Sequence, residues 1–307
     1  MKFIKYSIFF YIIFDLPLSA NKIVGLVQVK NEEIFIEQCL RALSCYTDAI
    51  VILDDASTDN TLTIIKKLTD ECAIEKIIEN TSWKDWNEPS NKNKLLQAAR
   101  EIGGTHMVII DADEIFSADC LENNWLRNRI LSLKPGDSMG CLWINLWRSI
   151  HQYRDDGSVW VPRDNQRIFC DNGIAYYPTG FLHASSIPTG LNGKYYPNTD
   201  SNRGILHFQF VNWDNLLVKQ AWYRCLEHIH DPKKSILDIN VTYGQSKDER
   251  NIRFKQAPAR WFNYPFFDEK VFKKPELWRK KQVNEWFRQY GKDFFKHLDI
   301  WDVNWNA

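Results

Sequence analysis

Apolar residues in the first part of the chain come in short unbroken runs, and each run is followed by a stretch with helical spacing. Residues 22–29 (KIVGLVQV) form a run of strand length, rich in valine and isoleucine. Ile36, Cys39, Leu40 and Leu43 then fall on one face of a helix. Residues 49–54 (AIVILD) are a second buried strand, and residues 57–60 carry turn and cap chemistry ahead of a helix holding Leu62, Ile65 and Leu68. Residues 74–79 make a third strand. A helix over 92–102 is stopped by Gly103-Gly104. Residues 106–111 (HMVIID) are the fourth strand, and Ser117 is placed to cap a helix running to Leu131.

Strand and helix therefore alternate four times. The strands are continuous apolar runs, without alternation, which predicts an α/β protein with a mostly parallel central sheet and helices on both faces. Ligands bind beyond the carboxyl ends of such strands. Asp111 stands where the fourth strand leaves the sheet, so its carboxylate can face that crevice.

Past residue 140 the pattern loosens. CLWINLW (141–147) and GILHFQFV (204–211) read as strands, 151–205 is loop-rich, and 214–229 reads as helix. Beyond 231 the composition shifts, and from 250 to 297 Lys and Arg outnumber Asp and Glu with aromatics interleaved. The chain thus divides into residues 1–20, an α/β domain over 21–230 and an aromatic, basic C-terminal extension over 231–307. Residues 1–20 put Lys2 and Lys5 before an apolar run and end in Leu18-Ser19-Ala20. That is the build of a secretory signal peptide, or of an uncleaved hydrophobic anchor. It predicts an exported or membrane-associated protein, with the cytosolic face of a membrane as the alternative. The run is short for a span, which takes ~20 residues.

Composition adds exclusions. Of 307 residues, 39 are basic and 39 acidic, so no polyelectrolyte signal calls for nucleic acid. Hydrophobic residues at 44% provide a core and argue against disorder. The seven cysteines lack CxxC spacing and read as small buried apolar residues. The basic aromatic stretch 250–297 has two main readings: a cover packed on the domain, or a membrane-interface surface.

Three polar segments follow strands. Asp111-Ala112-Asp113 can converge on one divalent ion, or can simply begin a helix whose dipole favours acids. Asp54-Asp55-Ala56-Ser57-Thr58-Asp59 can accept hydrogen bonds from a nucleoside, or can form a capping turn. Lys30-Asn31-Glu32-Glu33 taken alone is a solvated turn.

Their order is more specific than any one of them. Strand–KNEE, strand–DDASTD and strand–DADE resemble the inverting glycosyltransferases of family 2, in the D-x-D-E branch, over about 22–135 and loosely to 230. The resemblance implies a GT-A (nucleotide-diphospho-sugar transferase) fold with a C-terminal helical extension. It implies a nucleotide-sugar donor held by Glu32, Asp54, Asp55, Lys92 and Asp111, and Mg²⁺ or Mn²⁺ held by Asp111 and Asp113 with His207 or His183. It implies transfer to a glycan or a lipid-linked acceptor.

Inverting transfer also needs a general base. The matching segment Thr179-Gly180-Phe181-Leu182-His183-Ala184 carries alanine where the family carries an acid. That leaves Asp164, Asp171, Asp200 and Glu114 as candidates. It also motivates an alternative, a GT-A-like domain that binds a sugar nucleotide or glycan without turnover. A haloacid-dehalogenase-type phosphohydrolase fits less well, because its Asp-x-Asp stands on the first strand.

Overall fold

The structure is a computed structural model describing residues 21–82, 87–180 and 184–305. The N-terminal segment 1–20 and His183 lie outside the described residues.

The alternating first part folds as its pattern requires. Strand β1 (Ile23–Val29) leads to helix α1 (Ile36–Ser44), β2 (Ala49–Asp54) to α2 (Thr61–Lys67), and β3 (Ile74–Glu79) to α3 (Glu88–Glu101) and β4 (His106–Ile109). These strands are parallel in the order β3-β2-β1-β4. The Leu43 side chain of α1 packs onto β1 at Gly25, which has no side chain there. A Cβ at that position would meet Leu43 Cδ2 at 2.5 Å. Helix α3 starts at Asn87, whose side chain accepts from Ser90 N at 3.1 Å, with Pro89 in the first turn, where its missing N–H costs nothing.

After β4 come the three-residue β5 (Glu114–Phe116), a 3-10 turn (Ala118–Asn124) and α4 (Trp125–Leu131). The single helix expected from Ser117 to Leu131 is broken. Asn123 and Asn124 have φ of 53° and 56°, a left-handed conformation that asparagine tolerates and that ends a helix. The Ser117 hydroxyl bonds Asp119 Oδ1 at 2.7 Å and caps no helix.

The second half completes the sheet. Strands β6 (Ser138–Asn145), β7 (Gln152–Arg154), β8 (Arg163–Cys170), β9 (Tyr195–Tyr196) and β10 (Gly204–His207) follow. The main path runs β3-β2-β1-β4-β8-β6-β10-β5, with β9 beside β6. Strand β8 lies inside the stretch read as loop. It enters antiparallel between β4 and β6, pairing Met107 with Phe169 and Ser138 with Phe169. Strand β10 is parallel to β6 and antiparallel to β5, so His207 pairs with Asn145 on one side and Glu114 on the other.

Helix α5 (Trp213–His230) is capped by Asn212, which accepts from Asn215 N at 3.2 Å. It packs with α6 (Ile236–Gly244) and α7 (Trp278–Tyr290) around Trp222, Trp286 and Phe295. Strand β11 (Phe254–Gln256) pairs with β7 in a separate two-stranded sheet. The aromatics of the basic stretch work mainly as packing: Trp261, Tyr264 and Phe272 close one cluster against β10, and Trp286, Phe287 and Phe295 another. No helix among the described residues is long and apolar enough to cross a membrane.

Candidate functional site

The carboxyl ends of β1 and β4 open on a cavity of about 590 Å³, closed from the far side by α5 and α7. Asp111 and Asp113 stand at its wall because β4 ends at Ile109 and β5 starts at Glu114, a tight turn between two buried strands. Asp111 keeps a half-exposed side chain, and Arg167 Nη1 donates to its Oδ2 at 3.1 Å. Glu114 is fully buried. Its Oε1 accepts from Arg167 Nη2 at 2.7 Å and Trp143 Nε1 at 2.6 Å, and its Oε2 accepts from Asp111 N at 3.1 Å. Burial pushes the Glu114 carboxyl up to about 7, while Arg167 pulls it back. With three donors on it, buried Glu114 braces the turn and does not line the cavity.

Asp113 is different. Its Oδ2 lies 3.2 Å from Lys219 Nζ and 3.5 Å from His207 Nε2. Burial would raise its pKa, but Lys219 and His207 hold it well below the carboxylate range. His207 Nδ1 bonds Asn145 Oδ1 at 2.8 Å, and the ring stacks on Trp143 at 4.7 Å.

The nucleotide candidates form a shelf beside this turn. Glu32 and Lys92 line the cavity. Burial pushes Glu32 up to about 8, opposed by Arg279, whose Nη2 is 3.7 Å from Glu32 Oε1. Lys92 pairs with Glu88 at 2.7 Å and donates to the Ala184 and Ser185 carbonyls at 3.1 and 3.0 Å. Asp54 and Asp55 are buried at the end of β2 and do not line the cavity. Asp54 Oδ2 accepts from Ser57 N at 3.0 Å and Asp55 Oδ1 from Asn80 Nδ2 at 2.7 Å. Each keeps one buried oxygen without a partner among the described residues, as does Gln28 Oε1 in the cavity wall. Lys30 Nζ bridges the two regions, lining the cavity and donating to Asp55 O at 2.9 Å.

Three candidate bases stand elsewhere. Asp171 follows the carboxyl end of antiparallel β8, so it sits at the opposite end of the sheet, in a two-pronged pair with Arg100 at 2.8 Å and 2.8 Å. Asp200 Oδ1 accepts from Asn202 N at 2.7 Å and Arg203 N at 3.1 Å in the turn before β10. Asp164 is bonded by the Tyr195 hydroxyl. None of the three lines the cavity.

Of the expected metal set, Asp111, Asp113 and His207 are among the described residues and His183 is not. Among the described residues no group of three or more His, Cys, Asp and Glu side chains is arranged to hold a metal ion. Asp111, Asp113 and His207 do not form one, because the β5–β10 register turns His207 onto Asp113 and Lys219 satisfies the same oxygen. A divalent ion here could rest on Asp111 and on oxygens of a ligand, not on this trio.

Sequence reasoning missed Arg167, Lys219 and Arg279, all in the cavity wall. Arg167 was hidden with its strand. The helix carrying Lys219 was foreseen, but nothing in its pattern says which residue meets the acidic turn.

The α/β sheet, with its cavity at the carboxyl ends of the parallel strands and acidic turns beside it, agrees with the GT-A architecture expected from the sequence. Residues 26–125, about a third of the chain, match the model of glycosyl transferase family 2. No curated protein matches the sequence. Solved structures similar to it include Staphylococcus aureus TarS, at 13% identity over 91% of this chain and 81% of that one, TM-score 0.35. They also include the mannosyltransferase PcManGT from Pyrobaculum calidifontis in complex with GDP-Man and Mn²⁺, at 14% identity over 90% and 74%, TM-score 0.43. A TarS complex with UDP aligns at 16% identity over 51% and 50%, TM-score 0.34, so the matched part spans half of that chain.

Proposed function

We propose that this protein transfers a sugar from a nucleoside-diphosphate donor to a hydroxyl acceptor, with inversion at the anomeric carbon. The observation that carries the reading is the half-exposed Asp111 with its buried guanidinium Arg167, at the end of β4 and inside the family 2 stretch. The unpartnered Gln28 Oε1 in the cavity wall suits the nucleoside end, and Lys30 ties that wall to the buried Asp55. The cationic side chains of Arg167, Lys219 and Arg279 suit the diphosphate. In the reaction the acceptor oxygen forms a bond to the anomeric carbon as that carbon's bond to the diphosphate breaks. The nucleoside diphosphate leaves with the electron pair, and the acceptor proton passes to a base. The divalent cation expected from the sequence enters this reading as an ion that the diphosphate brings and Asp111 meets.

The acceptor fits best at the mouth beside α6. Thr242 and Tyr243 of that helix line the cavity, while Leu237 and Val241 expose apolar side chains on it. That surface suits a glycan with an apolar or lipid-linked end. An exported or membrane-associated setting, from residues 1–20, agrees with such an acceptor.

A second reading, donor binding without transfer, is favoured by one observation: Asp164, Asp171 and Asp200 are all outside the cavity. The test is calorimetric titration with UDP and GDP beside Asp111→Asn, followed by a donor screen for sugar release. Binding lost in the variant, with sugar release by the unaltered protein, supports transfer. Binding without release supports the second reading, and no binding of either nucleotide refutes both.

A further inference from the structure

We infer that Lys219 is a diphosphate-binding residue of this site, and that it takes at Asp113 the place expected for a metal ion. This rests on the nucleotide-sugar reading above and adds the group that meets the diphosphate.

The geometry begins with α5. Its start is fixed by the Asn212 cap, a short turn after His207 ends β10, which sets the helix over the acidic turn. Lys219, Gln220 and Tyr223 then all reach the cavity wall. Lys219 keeps 16% of its side chain exposed and lies 3.2 Å from Asp113 Oδ2. His207 Nε2 reaches the same oxygen at 3.5 Å, and its other nitrogen is tied to Asn145, so the ring cannot turn away without losing that bond. A dication against this carboxylate would lie beside an ammonium group and be repelled by it. A diphosphate would be attracted.

An ammonium group has three donors. Lys219 gives one to Asp113, which leaves two for phosphate oxygens. Arg167 stands across the turn on Asp111, so the two cations flank the wall on which the acidic residues stand. Asp113 then serves to hold Lys219 in place, with its own negative charge offset.

The test uses the full chain and calorimetric titration with UDP and GDP, in EDTA and with Mn²⁺. The unaltered protein is compared with Lys219→Met and Lys219→Arg. The expected result is nucleotide binding in EDTA, at least about tenfold weaker in Lys219→Met, since a charge-assisted hydrogen bond is lost. Lys219→Arg should recover most of it. If Lys219→Met lowers the melting temperature, Lys219→Met with Asp113→Asn replaces it, because the pair leaves no unmatched buried charge. Binding that appears only with Mn²⁺ and is equally tight in Lys219→Met overturns the inference and leaves the transferase reading standing. Absence of binding by either nucleotide, with or without Mn²⁺, overturns both.

Discussion

Arg167 Nη2 lies 2.7 Å from Glu114 Oε1, and both side chains are buried. The pair joins the centre of the sheet to the acidic turn, since Arg167 comes from β8 and Glu114 opens β5. Removing one member of a buried ion pair strands the other charge, which costs about 3–5 kcal/mol. Arg167→Met should therefore lower the stability of the fold by about that amount, read from the urea midpoint at neutral pH. Arg167→Lys should fall between, because lysine cannot reach Asp111 and Glu114 with two prongs. An unchanged midpoint in Arg167→Met would mean that Glu114 is neutral in the fold and needs no counter-charge.

The same pair shows how far the sequence could be read. Glu114 was visible because it interrupts an apolar run, and Asp111 because it ends one. The runs themselves gave β1 to β4, since a strand buried on both faces has nothing polar to hide it. Arg167 was not visible. The strand that carries it opens with Arg163, Asp164, Asn165 and Gln166, and turn residues flank it on both sides. Its burial comes from lying between β4 and β6, a relationship between distant segments that leaves no local pattern. Lys219 was hidden in another way. Helical spacing fixes which residues share a face, but the element that face meets is set by the register of β10 against β5. Acidic residues at strand ends are legible; the cations that answer them arrive from elsewhere in the chain.

Close strand packing gives a second prediction. Gly204 begins β10, and a Cβ there would fall on the Leu142 carbonyl and 2.8 Å from Leu142 Cβ. Both obstacles belong to a neighbouring strand and cannot swing aside. Gly204→Ala should cost about 1–3 kcal/mol, the usual range for overpacking, and should lower the melting temperature. Because β10 positions His207, nucleotide binding should weaken in the same variant. A melting temperature equal to that of the unaltered protein would show that β10 can shift away from β6.

Asp171 separates a structural carboxylate from a working one. It is bonded through both oxygens to Arg100 and stands at the amino ends of the parallel strands. Asp171→Asn should destabilise the fold by about 1–3 kcal/mol, the loss of charge-assisted hydrogen bonds, with nucleotide affinity unchanged. Asp111→Asn should do the reverse, lowering affinity with little change in stability. Calorimetry and thermal unfolding on the two variants decide it. A loss of nucleotide affinity in Asp171→Asn would move the site to the other end of the sheet.

Glu32 carries a pH dependence whose sign follows from its surroundings. Burial raises its pKa from 4.5 to about 8, with Arg279 acting in the opposite direction. The folded state then holds a proton that the unfolded chain releases near 4.5. Below that value both states are protonated, and the full contribution of the buried neutral acid is present. As pH rises the unfolded state gives up its proton first, so stability falls, until the folded carboxyl also ionises near 8. Glu32→Gln cannot titrate, and should not show this part of the decline. Melting temperatures across about pH 5 to 8 should therefore fall more steeply in the unaltered protein than in Glu32→Gln. Parallel slopes in the two proteins would mean that Glu32 is already ionised against Arg279 through this window, and that the ion pair outweighs the cost of burial.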